Sequence, residues 1–127
     1  MTTTAAGPAS ARLVVKVTCG AEAPERCNQA LTVAATALAA GAQVSLWLTG
    51  GAVDLARTGA AGFTLEHAAD PLELLAAVLA DGQVTVCTQC AARRGLTATD
   101  LPDGVRIAGA AVFVAEALDP TTTALVY

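Results

Sequence analysis

Two cysteines three residues apart, Cys87 and Cys90, stand just before Arg93, Arg94 and Gly95 in the segment VTVCTQCAARRG. The thiolate, not the thiol, is the sulfur nucleophile, and nearby cations favour it. Cys87 closes the run Gln83 to Cys87 (QVTVC), whose β-branched residues predict a strand. Small residues follow and predict a tight turn carrying Cys90. The free N–H groups of that turn, with Arg93 and Arg94, would hold Cys87 as a thiolate.

A Cys-x-x-Cys pair supports three chemistries. One is thiol–disulfide exchange, although no aromatic residue precedes Cys87 and the pair follows a third strand rather than a first. Another is a zinc or iron–sulfur site, which needs further ligands from Cys19, Cys27 or His67. The third is sulfur transfer through one reactive cysteine. Open α/β sheets place their sites at the carboxyl ends of strands. By that rule Cys19, Cys27, Cys87 and Cys90 all fall at one sheet edge. His67 reads as an exposed loop residue. Glu66 and Asp70 flank it without a serine-nucleophile motif, so no hydrolase constellation appears. Gly50 and Gly51 would present N–H groups to an anion, or simply form a tight strand-to-helix turn.

The elements that must position these residues alternate. Leu13 to Thr18 (LVVKVT) reads as a strand buried on both faces. Pro24 starts a helix that places Cys27, Leu31, Ala34 and Leu38 on one face, and Gly41 ends it. Gln43 to Leu48 (QVSLWL) is a second strand, followed by a short helix over Ala52 to Arg57. Thr58 to Ala69 is a loop. Asp70, Pro71 and Glu73 form a helix start, with Leu72, Leu75 and Leu79 predicted to be its buried face and Gly82 its end. After the third strand, Leu101-Pro102-Asp103-Gly104 fits a type I turn. A short extended piece, Val105 to Ile107, leads to a helix over Ala110 to Leu118. Asp119-Pro120 stops that helix before a last strand, Thr122 to Tyr127. The alternation predicts a small α/β domain with a mainly parallel sheet of about five strands flanked by helices.

Composition narrows the function classes. With 127 residues the chain makes one domain, expected over 12–127 after a disordered tail over 1–11. Only 14% of residues are charged, against about 25% in ordinary soluble domains. Either part of the surface is covered by another subunit, or the 31 alanines reflect compositional bias. Net charge is −4 and Lys16 is the only lysine, so nucleic acid is not an expected partner. The uncharged stretch from Cys27 to Val53 is broken by polar residues and by Gly41, so no membrane partner is expected. No G-x-G-x-x-G and no P-loop lysine occurs. The N-terminus has no secretion signal, so four cysteines point to free thiols or metal ligands in a reducing cytoplasm.

The segment VTVCTQCAARRG resembles the signature loop of the DsrE/DsrF-like family. In its TusD-like sulfur-relay members a strand ends in a reactive cysteine, followed by small residues and Arg-Arg-Gly. The doubled cysteine is closer to the YchN-type branch. LWLTGGAV and LPDGVRIAGAAVFV are further similar segments. The resemblance implies a persulfide carrier or sulfurtransferase in which Cys87 accepts sulfane sulfur, Arg93 and Arg94 supply its positive environment, and no cofactor takes part. It also implies trimers or hexamers of the chain, working with sulfur-donor and sulfur-acceptor proteins. Cys90 would then be a resolving thiol. A different class of function stays open, a metal- or small-ligand-binding oligomeric module using Cys19, Cys27, Cys87 and Cys90 without turnover.

Overall fold

The computed structural model describes residues 11–127, so residues 1–10 of the expected tail lie outside the described residues. Five strands, β1 (Arg12–Val17), β2 (Gln43–Leu48), β3 (Gln83–Cys87), β4 (Arg106–Ala108) and β5 (Thr122–Val126), form one sheet in the order β4-β3-β2-β1-β5. Every pairing is parallel. Four helices connect them: α1 (Pro24–Ala39), α2 (Pro71–Asp81), α3 (Thr88–Arg93) and α4 (Ala110–Ala117).

Because side chains alternate along a strand, register sorts them onto two faces. Val15 lies opposite Leu46, and Leu46 opposite Val84; Val17, Leu48 and Val86 form the next row. These residues meet Leu31, Ala34, Leu75 and Val78 of α1 and α2 in the main core. The alternate positions are less uniform. Lys16 aligns with Trp47, Trp47 with Thr85, and Thr85 with Arg106.

This second face is crossed by α4 through a polar network. Glu116 accepts hydrogen bonds from Ser45 Oγ at 2.6 Å, Trp47 Nε1 at 3.1 Å and Arg106 Nη2 at 2.6 Å. Arg106 Nε donates to Thr85 Oγ1 at 2.8 Å. Burial pushes the Glu116 carboxyl up, but its donors Ser45, Arg106 and Trp47 and the Arg106 charge prevail and hold it below its ordinary 4.5. A depressed carboxylate contributes stability that is present above its unfolded value and is lost as pH falls through the folded one. Thermal melts of the wild type and Glu116→Gln between about pH 6 and pH 3 should therefore converge as pH falls below about 4.5. A difference between the two that stays constant across that range would show that α4 is not held by this carboxylate.

Several sequence expectations need correction in detail. The segment after Cys87 is helical rather than a tight turn, because Ala91 and Ala92 favour helix and the end is well capped. Gly95 adopts φ +64°, and the Gly95 and Leu96 amides donate to Ala92 and Ala91 carbonyls at 3.1 and 2.9 Å, a full Schellman closure. Gly50–Ala56 is a 3₁₀ helix, starting before the predicted Ala52. The turn near Pro102 closes from Val105 N–H to the Pro102 carbonyl, one residue later than predicted, with Gly104 at φ +94°. In α2, Val78 joins Leu75 in the core while Leu72 and Leu79 are only half-buried. Asp70 caps this helix as predicted, accepting from Leu72 N–H at 2.8 Å.

Candidate functional site

Cys87 ends β3 and stands at the N-cap position of α3. It shares a sheet face with Thr85 and lies opposite Ala108. No closed capping bond forms, yet the Cys90 and Gln89 amides face its sulfur, as does the Cys90 thiol. Burial alone would push this half-buried thiol up. The Cys90 amide and thiol, the Gln89 amide and the charge of Lys16 together outweigh burial and hold it below its ordinary 9.0. A strand end running directly into a helix start is what turns these N–H groups onto the sulfur.

Cys90 is buried in the first turn of α3. Gly50 N–H donates to its sulfur at 3.3 Å and Arg93 Nη1 reaches the same atom at 3.8 Å. Arg94 Nη1 donates to the Cys90 carbonyl at 3.1 Å, and Arg94 Nε lies 3.6 Å from Asp54. The structure thus places both arginines around Cys90. The cation felt by Cys87 is Lys16, which the sequence reading did not select. Its signal was there: it is the one charge in the middle of an otherwise apolar strand run.

Of the predicted glycines, Gly50 reaches the site and Gly51 does not. Gly50 holds φ +54°, and a Cβ there would meet the Thr18 carbonyl oxygen at 2.6 Å. Gly51 instead packs against the Glu22 side chain.

Cys19 and Cys27 are buried in the main core, Cys27 on α1, in a cluster that also takes in Cys90, whereas Cys87 shares the opposite sheet face with Thr85 and opens to the cleft. Burial, with the opposing pull of Arg26 and the push of Glu22, leaves Cys19 raised. Burial, reinforced by Cys19 and Glu22, pushes Cys27 up to about 12. The four sulfurs do not converge. Among the described residues no group of three or more Cys, His, Asp or Glu side chains is placed to hold a metal. His67 is exposed, with φ +59°, and pairs with Glu66 at 3.1 Å.

Cys87 opens into a cleft of about 600 Å³ at the carboxyl edge of the sheet. Lys16, Trp47, Thr49, Gly50, Cys90 and Phe113 line it beside Cys87. Trp47 and Phe113 meet edge to face with ring centres 5.4 Å apart. Another hollow, about 590 Å³, lies at the amino ends of the strands among Arg12, Gln43, Asp81 and Asp119 and contains no thiol. Of the two hollows, only the cysteine cleft brings a thiol held below its ordinary range to an open surface.

Among curated proteins the chain has no match. Its fold is similar to that of the YchN protein from E. coli, at 19% identity and a TM-score of 0.75, covering 92% of this chain and 99% of that one. It is also similar to MTH1491 from Methanobacterium thermoautotrophicum, a protein of unknown function, at 11% identity and a TM-score of 0.71, with the same coverage. Residues 11–120 match the family model of the DsrE/DsrF-like family, and the chain belongs to that family.

Proposed function

We propose that the protein is a sulfur carrier whose Cys87 takes up sulfane sulfur as a persulfide. The carrying observation is the contrast among its thiols. Cys87 alone combines access to a cleft with a lowered ionisation range, whereas Cys19 and Cys27 are buried and raised. Thiolate sulfur attacks the outer sulfur of a donor persulfide, R–S–SH. The Cys87–S bond forms, the donor S–S bond breaks, and its electron pair leaves on R–S⁻. The products are Cys87–S–SH and a thiolate, with no change in overall redox state and no cofactor.

Cys90 is the resolving thiol. Its thiolate attacks Cys87 Sγ, forms the Cys87–Cys90 disulfide and expels HS⁻; a dithiol reductant then returns both thiols. One helical turn separates the two residues, a spacing compatible with the Cα separation of under about 7 Å that a disulfide requires. Transfer to an acceptor protein's thiolate is the competing, productive exit.

Loading with a low-molecular-weight persulfide, followed by cyanolysis, tests the reading. About one sulfane sulfur per chain is expected. No sulfane sulfur, together with about one tightly held metal ion per chain, would replace the carrier by a metal-binding module.

The assembly belongs to the same proposal. Val112 and Val114 of α4, Leu118 after it and Val126 of β5 are exposed, Leu118 at 76%. This apolar strip is the surface that contact with further copies would bury. Light scattering at micromolar concentration should report a trimer or hexamer, and a monomer would remove this part of the proposal. Among the described residues no helix is long and apolar enough to cross a membrane, which fits work in a reducing cytoplasm with protein donors and acceptors.

A further inference from the structure

The cleft over Cys87 has a composition that the carrier reading does not require. Its one charged side chain is Lys16. Among the described residues Lys16 has no carboxylate within ion-pair distance, and its Nζ rests 4.9 Å from the centre of the Phe113 ring. No acidic residue lines the cleft. The nearby carboxylate of Glu116 is already engaged by Ser45, Trp47 and Arg106. Trp47 and Phe113 supply an apolar wall, the Thr49 hydroxyl is committed to the Val17 carbonyl, and the Thr18 hydroxyl to a main-chain oxygen of Tyr127. A volume of about 600 Å³ suits a small organic molecule and exceeds what a single incoming sulfur atom needs.

We infer that the Cys87 cleft is a binding site for a small organic persulfide bearing a carboxylate, with Lys16 holding the carboxylate and Trp47 and Phe113 packing the carbon chain. The inference rests on the carrier reading and adds its donor class. A free Lys ammonium in a cleft without acidic neighbours is an anion site, while its apolar wall disfavours a bare inorganic ion. The reaction is that given above: the carboxylate stays on the leaving thiolate, R–S⁻, and only the outer sulfur passes to Cys87. Lys16 has a second effect, since its charge also favours the Cys87 thiolate. That effect acts on every donor alike, so selectivity between donors isolates the carboxylate contact.

The experiment compares second-order persulfidation rates of Cys87 by mass spectrometry, using N-acetylcysteine persulfide as the carboxylate-bearing donor and 2-hydroxyethyl persulfide as the donor without a carboxylate, the persulfide group itself being common to both. The wild type should prefer the carboxylate-bearing donor by about tenfold, the size of one charge-assisted contact. Lys16→Met should abolish the preference, and Lys16→Arg should keep most of it. Raising ionic strength should weaken the wild-type preference, a readout that needs no variant. Equal rates for both donors in the wild type, or a preference unchanged in Lys16→Met and by salt, would overturn the inference while leaving the carrier intact. No persulfide from either donor would instead overturn the carrier reading itself.

Discussion

Cys87→Ser protein should take up no sulfane sulfur above background, while Cys90→Ser protein should load as the wild type does and hold its persulfide longer. A serine hydroxyl at position 87 keeps the side-chain size but stays un-ionised near neutral pH, so no sulfur–sulfur bond can form. Cys19 and Cys27 do not substitute for it, because burial in the main core keeps both thiols protonated and away from solvent. At Cys90 the expectation runs the other way. Its thiol faces Cys87, and its loss removes the attack that closes the disulfide and expels HS⁻. Cyanolysis after loading, repeated over time, reads both variants. Full loading of the Cys87→Ser protein would move the acceptor role to another thiol, Cys90 first, since it also lines the cleft.

Trp47→Ala should cost about 4 kcal/mol of stability, within the range of large aromatic truncations in cores. The ring is only 2% exposed. It packs on Phe113, lies under the Arg106 guanidinium at 5.3 Å and donates to Glu116. Alanine therefore opens a cavity between the sheet and α4 and removes one of the three donors that stabilise the Glu116 carboxylate. Trp47→Phe keeps most of the volume and should lose about 1–2 kcal/mol. Urea unfolding at one fixed protein concentration measures both, since assembly makes apparent stability concentration-dependent. A loss below about 1.5 kcal/mol for alanine would mean that α4 does not seal this face of the sheet.

The sequence made much of this architecture legible for a physical reason. β2 and β3 are short, mostly apolar runs largely buried on both faces, and such runs have few alternatives to a central parallel strand. Their predicted bounds, Gln43 to Leu48 and Gln83 to Cys87, are the observed ones. Asp70-Pro71 and Gly41 mark helix ends by local chemistry, without help from tertiary contacts. The Cys87–Cys90 pair was visible because its residue types are rare in this chain. What escaped was the partnering of charges, which tertiary packing alone decides. Arg93 and Arg94 are close to Cys87 in sequence, but a helical turn carries them to Cys90 and Asp54. Lys16 is 71 positions away and reaches the cleft because β1 is two strands from β3. Cys19 and Cys27 fall near the predicted sheet edge, yet packing of α1 on the sheet buries both in the main core, away from the cleft.

Cysteine-resolved alkylation at neutral pH reads the central claim, that Cys87 is the reactive thiolate of this chain. At pH 7 a thiol near 12, such as Cys27, is ionised to roughly one part in 10⁵, whereas one held below 9.0, such as Cys87, exceeds roughly one part in 10². Lower basicity makes each thiolate less nucleophilic, which returns about twentyfold of that thousandfold gap. Burial of Cys27 acts in the same direction as its low ionisation. Limited iodoacetamide treatment with peptide mapping should therefore label Cys87 at least about fiftyfold faster than Cys27. Equal labelling of Cys87 and Cys27 would contradict the account.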